Sequence, residues 1–148
     1  MKYIKYFESK SPKLENGMHF SVGSIIMNEN EDKILMIERN KFPYGWACIA
    51  GHIDEGETPE DALVREVKEE SGLDIITYDL LYDKLMIGNK CSRGVNDHYW
   101  YVYKCTVSGE IKKNIDEVRN IKWIDINDID DLDLESIWEY WLKKFDMI

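Results

Sequence analysis

Gly-His-Ile-Asp-Glu-Gly-Glu-Thr-Pro-Glu-Asp-Ala-Leu-Val-Arg-Glu-Val-Lys-Glu-Glu-Ser-Gly-Leu, from Gly51 to Leu73, is the stretch on which the reading of this chain turns. Its second half carries helix punctuation at both ends. Thr58 suits an N-cap, Pro59 the first helical position, and Asp61 completes a Thr-x-x-Asp capping box. Gly72 stands where a left-handed residue ends a helix. At about 100° per residue, Glu66, Glu69 and Glu70 fall within an arc of roughly 100°. Leu63, Val64 and Val67 fill a neighbouring arc, read as the buried stripe, and Ala62 leaves room on the carboxylate side.

Three carboxylates on one helical face repel one another, so the arrangement is unfavourable unless a cation or solvent compensates. A solvated acidic face is the plain alternative. Hard oxygen donors at this density suit Mg²⁺ or Mn²⁺ held together with water and substrate phosphates. The flanking residues favour the metal. Gly51, five residues, Glu57, seven residues, Arg65-Glu66, an aliphatic, one residue, Glu69-Glu70, one residue, Gly72 and an aliphatic follow in order. Nine such positions coincide by chance less than roughly once in a billion starts at average composition.

This pattern resembles the complete signature of the Nudix hydrolases. The resemblance implies an α/β fold, an α/β/α sandwich with a mixed β-sheet, in one domain spanning residues 1–148. It also implies cleavage of a nucleoside diphosphate joined to some other group. Carried over by position, Glu66, Glu69 and Glu70 are metal ligands, with the backbone carbonyl near Gly51 as a further one. Glu57 and Arg65 form a structural ion pair that anchors the loop to the helix. Arg65 lies outside the carboxylate arc, so the helical wheel agrees that it can turn back toward Glu57. One departure lies upstream: family members often carry Pro-Gly before the motif glycine, where this chain has Ile49-Ala50.

Composition narrows the setting. A chain of 148 residues with 44% hydrophobic and 32% charged residues is expected to be one globular domain. A net charge of −10 argues against broad nucleic-acid binding or an anionic membrane as partner. The same charge means that an anionic nucleotide, the small-molecule partner implied here, needs metal and local cations to approach. Cys48, Cys91 and Cys105 are odd in number and show no Cys-x-x-Cys spacing, as expected of reduced thiols. With no run of 18 apolar residues and no signal-peptide pattern, a cytoplasmic protein, monomer or homodimer, is the expectation.

Along the chain, Tyr3, Ile4, Tyr6 and Phe7 within residues 1–13 suit an edge strand or arm, with a dimer contact as the alternative. His19 to Met27 and Lys33 to Arg39 read as strands, and Asn28 to Asp32 as a hairpin connection. Ile75–Leu85 and Asp97–Val107 suggest a strand pair around a polar loop at Gly88–Asn96. Arg119–Ile124 reads as a strand ending near Trp123. Leu134, Ile137, Trp138, Trp141, Leu142 and Phe145 then fall at helical spacing, a face that covers the sheet.

Cleaving a pyrophosphate needs its charge screened, a water oriented and a carboxylate to remove the proton. Glu66 is the candidate base within the motif. Glu117 is the candidate outside it, as base or added metal ligand, because its spacing to the following strand resembles that of triphosphate-cleaving relatives. A polar turn at Asp116-Glu117 is the alternative. Lys90 and Arg93 are candidate phosphate contacts, and Tyr44 and Trp46 can stack on a base or pack beneath the loop. His52 is expected near the metal side without being a ligand, and His98 is given no role. ADP-ribose-cleaving relatives usually carry a proline past the motif, and dinucleoside-polyphosphate-cleaving relatives a tyrosine. Neither marker is present here, which leaves a nucleoside triphosphate or related small nucleotide favoured. A non-catalytic nucleotide- or protein-binding module is the competing reading, though a pure binder has no need of three clustered acids.

Overall fold

The computed structural model describes residues 19–86, 98–112, 114 and 116–148. Residues 1–13, Lys90, Arg93 and the loop around them lie outside these. Strand β1 is His19–Ile26, β2 Lys33–Arg39, β3 Gly45–Ala47 and β4 Ile49–His52. Helix α1 (Pro59–Ser71) follows, then β5 (Asp74–Met86), β6 (His98–Ser108) and β7 (Val118–Asp125). A 3-10 turn at Ile126–Asp131 leads to helix α2, Ser136–Lys144.

The expected mixed sheet is present as four strands in the order β4-β1-β6-β5, and a separate antiparallel sheet runs β3-β2-β7. In the first, β1 lies parallel to β6 and antiparallel to β4. That register sets Val22 between Tyr101 and Gly51 and so brings the start of the motif onto the central strand. The predicted pairing of β5 with β6 is present, and it is antiparallel. The hairpin expected of β1 and β2 is not formed. Asn28 N–H bonds the Lys33 carbonyl and Met27 bridges Ile34, but the two strands then enter different sheets. A short turn constrains where strands start, and side-chain burial decides which partners they take.

Alternation along β6 sends residues to both faces, and Trp100, Tyr101, Val102 and Tyr103 are all buried. Both faces are therefore covered, as a buried sheet requires. Trp100 meets Trp138 and Trp141 of α2, while Tyr103, on the other face, meets Tyr78 and lies near Glu60 of α1. The terminal aromatics thus cover the sheet as their spacing predicts: Trp138, Trp141, Ile137 and Leu142 are buried.

Helix α1 starts and stops where its sequence dictates. Thr58 Oγ1 accepts from Asp61 N–H and the Asp61 carboxylate accepts from Thr58 N–H. Gly72 takes φ +77° and its N–H bonds the Lys68 carbonyl. The buried stripe differs from expectation at one residue, since Val64 is exposed. Leu63 and Val67 are buried as expected, and Ala62, Glu70 and Ser71 are buried beside them. On the wheel Glu70 lies within about 20° of Leu63, so the acidic arc overlaps the buried one and Val64 falls at its edge.

Candidate active site

The loop from β4 to α1 is held by one guanidinium. Arg65 Nε and Nη2 donate to the two oxygens of Glu57 at 2.8 and 2.9 Å, a bidentate pair. Nη2 also donates to the His52 carbonyl at 2.9 Å, and Nη1 to Glu66 Oε1 at 2.8 Å and Glu69 Oε2 at 3.3 Å. Glu57 in turn accepts from Asp54 N–H. The Arg65 bond holds the Glu57 carboxyl below its ordinary range. Beside this network β4 passes close to the helix, and a Cβ at Gly51 would fall on the Glu66 carboxylate. Any larger residue there has to displace the Glu66 carboxylate.

Removing the guanidinium is expected to lower both stability and activity. Arg65→Ala leaves Glu57 and Glu66 facing Glu69 without a cation, and a loss of about 1–3 kcal/mol follows for groups this partly exposed. Lys68, more than half exposed and paired with Asp74, is the control, with an effect within about 0.5 kcal/mol. Thermal melts and turnover check both. An Arg65→Ala variant that melts and turns over like wild type would remove the anchor.

The three motif carboxylates occupy unequal settings. Glu69 is half exposed. Glu66 is largely buried, and burial, against the pull of Arg65, pushes its carboxyl up to about 7. Glu70 is only 4% exposed, and its Oε2 has no hydrogen-bond partner among the described residues. Burial, then the neighbouring Glu66, pushes Glu70 well above the usual carboxylate range. Among the described residues no three acidic or imidazole groups converge into a ready-made cage. Arg65 instead occupies an oxygen each of Glu66 and Glu69. The donor set still fits a hard divalent cation: all-oxygen ligands, one buried and unpartnered, facing a cavity.

That cavity, of about 380 Å³, unites the motif with residues from five other places in the chain. Gly51, Arg65, Glu66, Glu69 and Glu70 line one part of it. Glu117 also lines it, and its charge helps to raise both Glu66 and Glu70. Its position is fixed through β2, whose neighbour Asn40 donates its N–H to the Glu117 carbonyl at 3.1 Å. Lys41 Nζ lies 3.5 Å from Glu117 Oε1. Neither Tyr44 nor Trp46 lines the cavity. Tyr44 stands exposed against Phe42, and Trp46 packs on the core with Lys122 over its ring.

Several lining residues were not singled out in the sequence. Arg39 and Lys41 supply cations from the end of β2, and Trp100 and Trp138 supply aromatic walls. His98, given no role above, lies in the wall with Nδ1 2.9 Å from Ser21 Oγ. Glu135, at the start of α2, is 8% exposed. No spacing rule joins these positions, which only the sheet register brings together.

Burial pushes Glu135 up to about 7, against the opposing pull of Arg39. Its folded-state value therefore lies above the ordinary 4.5, and the fold binds its proton more tightly than the unfolded chain. The associated stability is complete below about pH 4.5 and is lost as pH rises through about 7. Glu135→Gln is expected to remove that part of the decline, about 1–3 kcal/mol between pH 4.5 and 8. Urea denaturation of both proteins across this range checks it, and parallel pH curves would refute it.

Comparison with known proteins shows the family. A family model, the NUDIX domain, matches residues 17–145. The chain belongs to the NUDIX family. A dihydroneopterin triphosphate diphosphatase of Escherichia coli is 35% identical over 60 residues, 40% of each chain. A putative nudix hydrolase of Caenorhabditis elegans is 33% identical over 125 residues, 79% of this chain but 32% of that protein. The chain thus spans well under half the length of these curated relatives. Among solved structures, a MutT protein from Methanosarcina mazei superposes with a TM-score of 0.72 at 20% identity, over 90% of this chain and 96% of that one. A MutT NUDIX hydrolase from Burkholderia pseudomallei gives 0.66 at 26% identity, over 76% and 86%. No helix among the described residues is long and apolar enough to cross a membrane.

Proposed function

We propose that this protein is a Mg²⁺-dependent pyrophosphohydrolase acting on a nucleoside triphosphate or related small nucleotide, with Mn²⁺ able to substitute. The observation that supports this reading is Glu70, buried with an unpartnered carboxylate oxygen, in the lining of a cavity shared with Glu66, Glu69, Glu117 and three cations, Arg39, Lys41 and Arg65. Charge buried without a partner is costly, and a cation offsets it. The diphosphatase relative, whose name specifies a triphosphate, supports the substrate class.

In this reading Glu66, Glu69, Glu70 and the Gly51 carbonyl hold the divalent ion, which supplies charge screening and a more acidic water. Arg39 and Lys41, in the same cavity lining, hold the phosphates. Glu117 removes the proton of the attacking water, with Glu66 as the candidate within the motif. Arg65 and Glu57 keep the loop in place.

The test is release of phosphate or pyrophosphate from a panel of nucleoside triphosphates, dinucleoside polyphosphates and ADP-ribose, with and without Mg²⁺. The expected result is Mg²⁺-dependent turnover, fastest with a triphosphate. No metal-dependent turnover on any member would replace this reading with the nucleotide-binding module.

A further inference from the structure

The last carbonyls of a helix have no partner within it and are satisfied from outside. At the end of α1 they meet the segment that precedes β7. Lys112 N–H donates to the Ser71 carbonyl at 2.6 Å, and Asn114 N–H makes a longer bond, 3.5 Å, to the Glu70 carbonyl. The two stretches pass so closely that a Cβ at Gly72 would lie 2.9 Å from Lys112 Cβ. The segment leading to Glu117 is thereby seated on the turn of α1 that carries Glu69 and Glu70, two acids of the cavity lining.

Asn114 then gathers the residues that follow. Its Oδ1 accepts from Asp116 N–H at 3.1 Å, the contact by which an Asn side chain stands in for a backbone turn. Its carbonyl accepts from Glu117 N–H at 3.3 Å and from Val118 N–H at 2.9 Å. Three successive N–H groups thus converge on one residue. On the far side the Glu117 carbonyl accepts from Asn40 N–H. The Glu117 backbone is therefore held through both its donor and its acceptor. Its side chain has only the exposed Lys41 as ion-pair partner among the described residues. Asp116 and Glu117 are both exposed, so hydrogen bonds rather than packing fix this turn. A backbone fixed in place beneath a side chain that is cheaply redirected suits a reacting carboxylate.

We propose that Asn114 is a positioning residue that aims Glu117 into the cavity and sets its place relative to Glu70. The inference rests on the hydrolase reading with Glu117 as proton acceptor, and adds the residue through which that acceptor is held. Alanine at 114 keeps the backbone carbonyl and removes only the Oδ1 acceptor. Asp116 N–H then turns to solvent, the turn loosens, and Glu117 spends less time within reach of the attacking water. No metal ligand and no phosphate contact is altered.

The experiment measures kcat and KM for a nucleoside triphosphate at saturating Mg²⁺ in the wild type, Asn114→Ala, Asn114→Ser, Glu117→Gln and the Asn114→Ala/Glu117→Gln double variant. Amide hydrogen exchange at Asp116, Glu117 and Val118 is followed in the wild type and in Asn114→Ala. One neutral hydrogen bond corresponds to about 2- to 10-fold in a population. Asn114→Ala is expected to lower kcat by about 3- to 10-fold with KM within about twofold, and to speed exchange at those amides by a similar factor. Asn114→Ser keeps a hydroxyl acceptor and should recover most of the lost rate. In the Glu117→Gln background the same alanine should change kcat by less than about twofold, since a residue acting through Glu117 has nothing left to position. Equal fold losses in the two backgrounds overturn the proposal and leave Asn114 a structural residue. So does wild-type kcat in Asn114→Ala, and so does unchanged exchange. If Glu117→Gln turns over like the wild type, the positioning role falls and the hydrolase reading stands. If the wild type hydrolyses no nucleotide, both fall.

Discussion

Glu70→Gln is expected to lower turnover by about 10²–10³-fold, the several kcal/mol that a bound divalent ion contributes to the reaction. Its melting point at pH 8 should equal or exceed that of wild type. The two effects come from one cause. Glu70 sits in the buried arc of α1 close to Glu66, and burial makes its ionised form costly. Glutamine keeps the shape without that charge and offers a divalent cation only a weaker, neutral carbonyl oxygen. Glu69→Gln should lose activity for the same reason but gain no stability, because Glu69 is half exposed. Near-wild-type turnover of Glu70→Gln at saturating Mg²⁺ would remove Glu70 from the metal site. A readout without turnover completes the test: Mn²⁺ titration followed by electron paramagnetic resonance should show weaker binding in the variant.

Glu117→Gln should lower kcat by about 10²–10⁴-fold, the usual contribution of a positioned proton acceptor, with a much smaller change in KM. The structure adds geometry to this expectation. Glu117 reaches the cavity from the segment before β7, and the Asn40 backbone holds that segment against the end of β2. Its side chain, half exposed, has only the exposed Lys41 ammonium as an ion-pair partner among the described residues. Such a pair contributes at most about 1 kcal/mol, so Glu117 is released at little cost when phosphate competes for Lys41. A residue acting as a metal ligand alone should be partly rescued by raised Mg²⁺ or by Mn²⁺, whereas a base should not. Asp116→Asn is the control, since Asp116 is exposed and absent from the lining, and it should be nearly silent. Wild-type behaviour of both variants would return the base to Glu66.

Much of the site could be read because its parts are close in sequence. A capping box, a C-terminal glycine and the 3.6-residue repeat fix α1 through local hydrogen bonds and sterics. Helix geometry then places Glu66, Glu69 and Glu70 together and turns Arg65 back toward Glu57. The strand spans were legible from alternation for the same local reason, to within one residue at most ends. The short strands β3 and β4 were not, because three or four residues carry too little periodicity.

The sequence by itself therefore determined the family, the helix and the acidic motif with its arginine anchor, all products of spacing within one local segment. Tertiary structure alone decided the rest. It sent β1 and β2 to different sheets, turned Val64 outward and Glu70 inward, and left Tyr44 and Trp46 away from the cavity. It also gathered Arg39, Lys41, His98, Trp100, Glu117, Glu135 and Trp138 around the motif. Those residues are separated by strands whose pairing depends on non-local burial, and a one-residue slip in register would turn His98 and Trp100 to the other face.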